Sequence, residues 1–210
     1  MNSSMIFTVG HSTHSLEYFI GVLKSANISA IADVRSVPWS KHFPQFNRSE
    51  LKSSLNDVGI EYRFFGNQLG GRPDKPSLMQ NLVANYDAMA KTKEFEQGVK
   101  LVIAGAKKHR LALMCSEHDP LDCHRCLLVG KALSRLGVSV NHIQADGSIT
   151  SQQDIEEQLL LMSGKISDDF FAPREELLDM AYRERSMKVA YRERVPDKPD
   201  EWELSDVRHS

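Results

Sequence analysis

Residues 111 to 128 read LALMCSEHDPLDCHRCLL, and all three cysteines of the chain, Cys115, Cys123 and Cys126, fall within twelve of those positions beside Glu117, His118, His124 and Arg125. Thiols next to imidazoles, a carboxylate and a guanidinium can hold a metal ion, exchange electrons or attack an electrophile. For zinc, Cys123-x-x-Cys126 is a usual half-site, but no second Cys-x-x-Cys or His-x-x-x-His follows to close a tetrahedral set, so no metal or other cofactor is assigned. For redox work, Cys123 and Cys126 at a helix N-terminus would gain thiolate stability from the helix dipole and from His124 and Arg125. The long loop before that pair and the third thiol do not fit a thioredoxin-type arrangement. For nucleophilic chemistry, Cys115 would attack as a thiolate while Glu117 or His124 moves a proton, with Arg125 and the helix start welcoming an anion. Arg125 lies ten residues after Cys115 with Pro120 between them, which excludes the compact glycine-containing loop of phosphatases and rhodaneses. The plain alternative is that Cys115 is a small apolar residue ending a buried strand.

Other segments offer partners. His11 titrates near neutrality and is a candidate acid or base, with a capping bond in its own turn as the alternative. Asp33 and Arg35, two apart on one strand, point the same way and can orient a substrate or neutralise each other. Between Arg35 and Lys75, cations (Arg35, Lys41, His42, Arg48, Arg63, Arg72, Lys75) interleave with Trp39, Phe43, Phe46, Tyr62, Phe64 and Phe65. Such a mixture can meet phosphates and stack on bases. Tyr62 and Phe64 share one strand face, so only part of that set can reach a site. The stretch GNQLGGRP, with Gly70, Gly71 and Arg72, permits close backbone approach to a ligand but lacks the spacing of either glycine-rich phosphate motif.

These residues must be positioned by a regular scaffold, and the chain alternates element types. IFTVG reads as a strand, and SLEYFIGVLKSAN as a helix capped by Ser15; ISAIADV is a second strand, and NRSELKSSLNDVG a helix with Asn47 and Glu50 at its start and Gly59 at its stop. IEYRFF is a third strand, two helical stretches cover roughly 78 to 108, LALM is a fourth strand, HRCLLVGKALSRLG a helix and VSVNHI a fifth strand before the Asp146-Gly147 turn. The pattern predicts an α/β domain over residues 1–150: a mostly parallel sheet of about five strands with helices on both faces. Residues 151–210 read as a helical extension and charged tail, in which Ala-Tyr-Arg-Glu-Arg occurs twice at a nine-residue interval and a solvated helix is expected up to Pro196.

In open parallel sheets ligands bind outside the carboxyl ends of the strands. Those ends carry Gly10-His11-Ser12, Asp33-Val34-Arg35-Ser36, Gly66-Asn67, Cys115-Ser116-Glu117 and, near the fifth strand, Gln144 and Asp146. The expected site is therefore a rim where His11, Ser12, Asp33, Arg35, Cys115 and Glu117 meet the helix start at Cys123, His124 and Arg125, with Tyr62 and Gly70-Gly71-Arg72 alongside.

Composition excludes other classes. The 210 residues are 41% hydrophobic with a formal charge of -2, enough for a buried core and too balanced to nominate a polyanion by bulk charge. No basic segment leads an apolar run at the start, and no window approaches eighteen apolar residues, so neither secretion nor a membrane partner is expected. Clustered cysteines in odd number suit a reducing, cytoplasmic setting.

The segments TVGHSTHSLEYFIGVL, IADVRSVPWSKHFPQFNRSELKSSLNDVGIEYRFFGNQLGGRP and LALMCSEHDPLDCHRCLLVGKAL resemble domain-of-unknown-function family 488. The ordered elements are a Gly-His-Ser start, Asp-Val-Arg-Ser-x-Pro, Leu-Gly-Gly-Arg, and Cys-x-Glu followed by Cys-His-Arg. The resemblance spans roughly Phe7 to Gly147, about two thirds of the chain. It implies a shared fold and site but no reaction, and Cys126 lies outside its pattern. The expected function is an enzyme or binding domain for a phosphate-bearing small molecule or nucleic-acid component. The alternatives are a non-catalytic nucleic-acid-binding module, or a thiol redox or metal-binding protein; an oligomer is possible.

Overall fold

The computed structural model describes residues 5–164 and 173–193. Its chain order is β1 (Met5–Gly10), α1 (Leu16–Ser25), β2 (Ala30–Asp33), α2 (Arg48–Asp57), β3 (Glu61–Phe64), α3 (Gly66–Leu69), β4 (Met79–Gln80), β5 (Val83–Ala84), α4 (Tyr86–Met89), α5 (Lys93–Ala106), β6 (Leu111–Cys115), α6 (Lys131–Arg135), β7 (Ser139–Ile143), β8 (Ile149–Ser151), α7 (Gln152–Met162) and α8 (Arg174–Val189). Among the described residues the main sheet has six strands in the order β3-β2-β6-β1-β7-β8, parallel except for the antiparallel edge pair β7-β8. The sixth strand follows the Asp146-Gly147 turn, where Gly147 takes φ +85° and lets the chain fold straight back on β7.

Both sheet faces are covered, and the apolar spacing of each helix decides which face it takes. Phe19, Val22 and Leu23 of α1 and Leu51 and Leu55 of α2 bury against Phe7, Ile31, Ala112 and Met114 on one side. Phe95, Val99 and Val102 of α5 pack on the other with Leu127, Leu128, Leu133 and, from α7, Ile155 and Leu159. Successive strand residues face opposite sides, so Leu113 and Ala112 belong to different cores. The Ser15 cap forms as expected, its side chain accepting from Tyr18 N. The Asn47 side chain does not cap α2; its Oδ1 accepts from Ser40 N at 2.7 Å and so fastens the preceding loop instead.

Two stretches depart from the helical pattern. Residues 79–84 form the hairpin β4-β5, made possible by Asn81 and Leu82 at positive φ, so the first expected helix shrinks to α4. The segment Arg125–Gly130 is wound as a wide π-type helix before α6, and all of its residues are buried. The Ala-Tyr-Arg-Glu-Arg repeat splits as well. Its first copy lies in α8, where Tyr182 is buried, whereas the chain leaves the helix at Ala190 and the described part of the second copy, residues 190–193, is not helical, with Tyr191 O accepting from Ala84 N at 2.8 Å and Arg192 bridging Val83. The tail expected from Val195 onward lies outside the described residues. Among the described residues no helix is long and apolar enough to cross a membrane.

Candidate functional site

The strand order sets the carboxyl ends of β2, β6 and β1 side by side. Backbone bonds lock their exits together: His11 N donates to Cys115 O at 2.9 Å, Ser12 N to Ser116 O at 2.9 Å, and Val34 N to Met114 O at 3.0 Å. Ser12 reaches its partner in a left-handed conformation, φ +48°. Gly10 is needed here because a Cβ would lie 1.9 Å from Glu117 O.

Four side chains converge at this rim. The ligating atoms of Cys115, Glu117, Cys123 and His124 all lie within 4.8 Å of one another. Both sulfurs donate to the same carboxylate oxygen, Glu117 Oε2, Cys115 at 2.8 Å and Cys123 at 3.0 Å. His124 Nδ1 faces them at 3.5 Å from Cys115 Sγ and 3.9 Å from Cys123 Sγ. Its Nε2 donates to Val34 O at 2.9 Å, and because a carbonyl only accepts, the ring is oriented with Nδ1 toward the sulfurs. Gly71 allows the 70–72 loop to lie against this ring, since a Cβ there would come within 2.7 Å of it.

The electrostatics are uneven. Burial, together with Cys123 and Glu117, raises the Cys115 thiol well above its ordinary range. At Cys123 burial also opposes ionisation, but the hydrogen bond from Cys115 and the charges of Arg125 and His124 outweigh it and hold the thiol well below its ordinary range. Burial and the neighbouring Cys123 raise the Glu117 carboxyl. Burial disfavours charge on His124, yet Cys123 and Glu117 overcome it and raise its pKa. The two thiols are thus pushed in opposite directions, Cys123 toward easier and Cys115 toward harder loss of its proton, because Arg125 and His124 place positive charge beside Cys123.

Arg125 is not an anion cradle facing a ligand. It is fully buried and its NH1 and NH2 donate to the backbone carbonyls of Glu117 and His118 at 2.6 and 2.9 Å, shaping the 116–118 loop from beneath. Cys126 turns to Gln152 rather than joining the other thiols. The Cys-x-x-Cys spacing therefore misdirects: Cys123 meets Cys115, eight positions earlier, not Cys126.

Beside the cluster sits a second constellation. Arg35 forms a two-pronged bond to Asp33, Nε to Oδ1 at 2.9 Å and NH2 to Oδ2 at 2.6 Å, and Tyr62 Oη donates to the same Oδ2 at 2.7 Å. His11 stacks on Phe46 at 4.2 Å, with Nδ1 toward Ser12 O at 2.9 Å and Nε2 toward Arg35 NH1 at 3.2 Å. Burial and the Arg35 charge lower its pKa to about 4, so at neutral pH it is an uncharged link in this network, with both nitrogens occupied. Tyr62 and Asp33 support Arg35; they do not line the cavity.

That cavity, about 190 Å³, is lined by Cys115, Glu117, His124, Arg35, Ser36, Gly71, Arg72 and Tyr86, among others. Arg72 is exposed at its mouth, with its guanidinium over the Tyr191 ring at 5.1 Å and its backbone N–H donating to Ser36 Oγ at 2.9 Å. Gly70 lines a neighbouring pocket, packed so closely on Ser36 that a Cβ would lie 2.4 Å from its Oγ. Sequence reasoning missed Tyr86 and Tyr191, which come from segments whose pattern carried no site signal; Ser36 was signalled by the Asp-Val-Arg-Ser run.

The basic and aromatic stretch does not form a stacking platform. Phe46, Tyr62 and Phe65 are core residues, Phe43 and Phe64 are half-buried, and Trp39 is exposed. Arg48 spends its guanidinium on Phe64, 4.4 Å from the ring centre.

Compared with known proteins, the chain matches the family model described as domain of unknown function DUF488 over residues 15–132. That span takes in the Asp33-Arg35, Gly70-Gly71-Arg72 and Cys115-to-Arg125 segments and begins after His11 and Ser12. No curated protein and no solved structure matches.

Proposed function

Because the chain belongs to the DUF488 family, whose function is unknown, its chemistry has to be read from its own site, and we propose that it is an enzyme acting on a small phosphate-bearing ligand or nucleic-acid component. The working centre is the group Cys115, Glu117, Cys123 and His124. The observation that carries this reading is that the four side chains, drawn from β6, the loop after it and the start of the following helix, converge on one point that opens through Cys115, Glu117 and His124 into a cavity. A cluster that only holds the fold together closes its hydrogen bonds upon itself; this one crowds two thiols on one carboxylate oxygen and keeps an entrance.

The ligand class follows from the entrance. Arg72 stands exposed at the mouth, and Arg35 lines the wall with its charge balanced by Asp33, so an anionic group is attracted outside and positioned, rather than trapped, inside. At 190 Å³ the space accommodates a phosphate or one small ring, not a polymer. Free thiols fit action in a reducing, cytoplasmic setting.

The test is ligand protection. Alkylation of Cys115 and Cys123 by iodoacetamide is followed by mass spectrometry with and without inorganic phosphate and nucleoside monophosphates. Protection is expected, and Arg72→Ala should weaken it by roughly tenfold, the equivalent of about 1.4 kcal/mol. Labelling that no phosphate-bearing ligand slows would contradict the reading.

A further inference from the structure

We infer that Cys115, Cys123, His124 and Glu117 bind one divalent cation of the zinc class, with Glu117 as the exchangeable ligand. The inference rests on the reading of this group as the working centre and names what that centre holds.

The donor set is the first argument. Two sulfurs, one imidazole nitrogen and one carboxylate oxygen are the ligands a borderline-soft, four-coordinate cation takes. A tetrahedral zinc ion with bonds of about 2.0 to 2.3 Å holds its ligand atoms roughly 3.3 to 3.8 Å apart. The separations here, 2.8 and 3.0 Å from Glu117 Oε2 to the two sulfurs and 3.5 and 3.9 Å from His124 Nδ1 to them, bracket that range. The carboxylate has to retreat from the sulfurs, and it belongs to the exposed member of the set.

The orientation of His124 is the second. A ligating imidazole generally donates its other N–H to a carbonyl or carboxylate, which fixes the ring. His124 makes that bond to Val34 O, and the Gly71 backbone closes over the ring so that it cannot swing away.

Charge is the third and independent argument. Arg125 is fully buried, has no carboxylate partner among the described residues, and leaves its Nε without a hydrogen bond. A buried guanidinium demands negative charge nearby. On binding, the two thiols release their protons to solvent, His124 coordinates as the neutral ring and Glu117 as the carboxylate; with the cation the assembly carries one net negative charge, which Arg125 offsets. The same cation removes the conflict of two acidic sulfurs and a carboxylate crowded at hydrogen-bond distance. Glu117, alone on the solvent side, is the ligand that water or a phosphate oxygen entering the cavity would replace.

The full chain, stripped with chelator and kept reduced, would be titrated with Co²⁺ and then Zn²⁺. One equivalent of Co²⁺ should produce the visible bands of a tetrahedral site and a thiolate charge-transfer band, and one equivalent of Zn²⁺ should erase both. Cys115→Ser and Cys123→Ser should each weaken the charge-transfer band by about half or more, Cys126→Ser should keep it, and Glu117→Gln, at an exposed position, should keep the thiolate band while weakening retention of the ion. Circular dichroism of each variant separates lost ligation from lost folding. No stoichiometric spectrum, or a spectrum unchanged by both Cys115→Ser and Cys123→Ser, would overturn the inference. If the metal-free chain still shows phosphate protection of Cys115 and Cys123, the metal assignment alone falls; if protection is absent too, the site reading falls with it.

Discussion

Two of the buried polar clusters on this sheet treat similar side chains in opposite ways. Behind β7, the group Thr8, His142, Gln152, Tyr182 and Cys126 is closed upon itself. Thr8 Oγ1 meets His142 Nδ1 at 2.7 Å, His142 Nε2 meets Gln152 Oε1 at 2.8 Å, and Gln152 Nε2 donates to Tyr182 Oη at 2.6 Å, which passes on to Glu156 at 2.9 Å. Each donor has an acceptor, and Cys126 is a bystander whose thiol burial pushes up to about 12. At the carboxyl rim, by contrast, two thiols compete for one carboxylate oxygen, and the cluster faces a cavity. A saturated network holds α7 and α8 to the sheet; an unsaturated one is available for a ligand.

The comparison breaks most visibly at Gln152. Gln152→Ala leaves the His142 ring and the Tyr182 hydroxyl without their shared partner, and urea unfolding should show a loss of about 2 to 4 kcal/mol, with iodoacetamide labelling of Cys115 unchanged.

Acid should separate the clusters next. Burial lowers the His142 pKa to about 4 from an ordinary value near 6.5. Between those values the unfolded chain binds a proton that the folded chain refuses, so stability rises with pH across this window. The contribution, on the order of 3 kcal/mol, is complete above pH 6.5 and lost as the pH falls to about 4. His142→Asn should flatten the stability profile between pH 4 and 6.5, leaving the slope that His11 supplies in the same direction. An unaltered slope would place the titration elsewhere.

A smaller effect is expected where the two regions are tied. Arg185 of α8 donates to Leu121 O at 3.0 Å and pairs with Asp122, holding the loop that leads into Cys123. Arg185→Ala should cost no more than about 1 kcal/mol and speed thiol labelling at Cys123. Least of all should follow from Glu117→Gln, which removes a crowded acid: stability within about 0.5 kcal/mol of the parent, despite loss of ligand chemistry.

Much of this architecture is legible in the residues. Periodicity places α1, α2 and α5 and the five parallel strands, and the polar residues at strand ends mark the rim, because a parallel sheet forces those ends to one edge. What escapes is whatever depends on a partner distant in the chain. Nothing local reveals that Cys126 will face Gln152, twenty-six positions on, or that Cys123 will turn back to Cys115; helical spacing alone pairs Cys123 with Cys126. The Arg125 fork reads as a ligand donor until its carbonyl partners at Glu117 and His118 are seen. Aromatics between residues 35 and 75 look like a stacking surface because alternation along a strand does not say which face the helices will cover. The hairpin β4-β5 is hidden because Asn81 and Leu82 adopt positive φ, and leucine carries no signal for it.

The pairing of Cys115 with Cys123 is what every part of this account needs, and a trivalent arsenical tests it directly, since such a reagent is retained only where two thiols can bridge one atom. Mass spectrometry should find one equivalent on the parent chain and on Cys126→Ser, and none on Cys115→Ser or Cys123→Ser. Capture that survives Cys115→Ser and disappears in Cys126→Ser would show that Cys123 pairs with Cys126 instead, and the site as described would not exist.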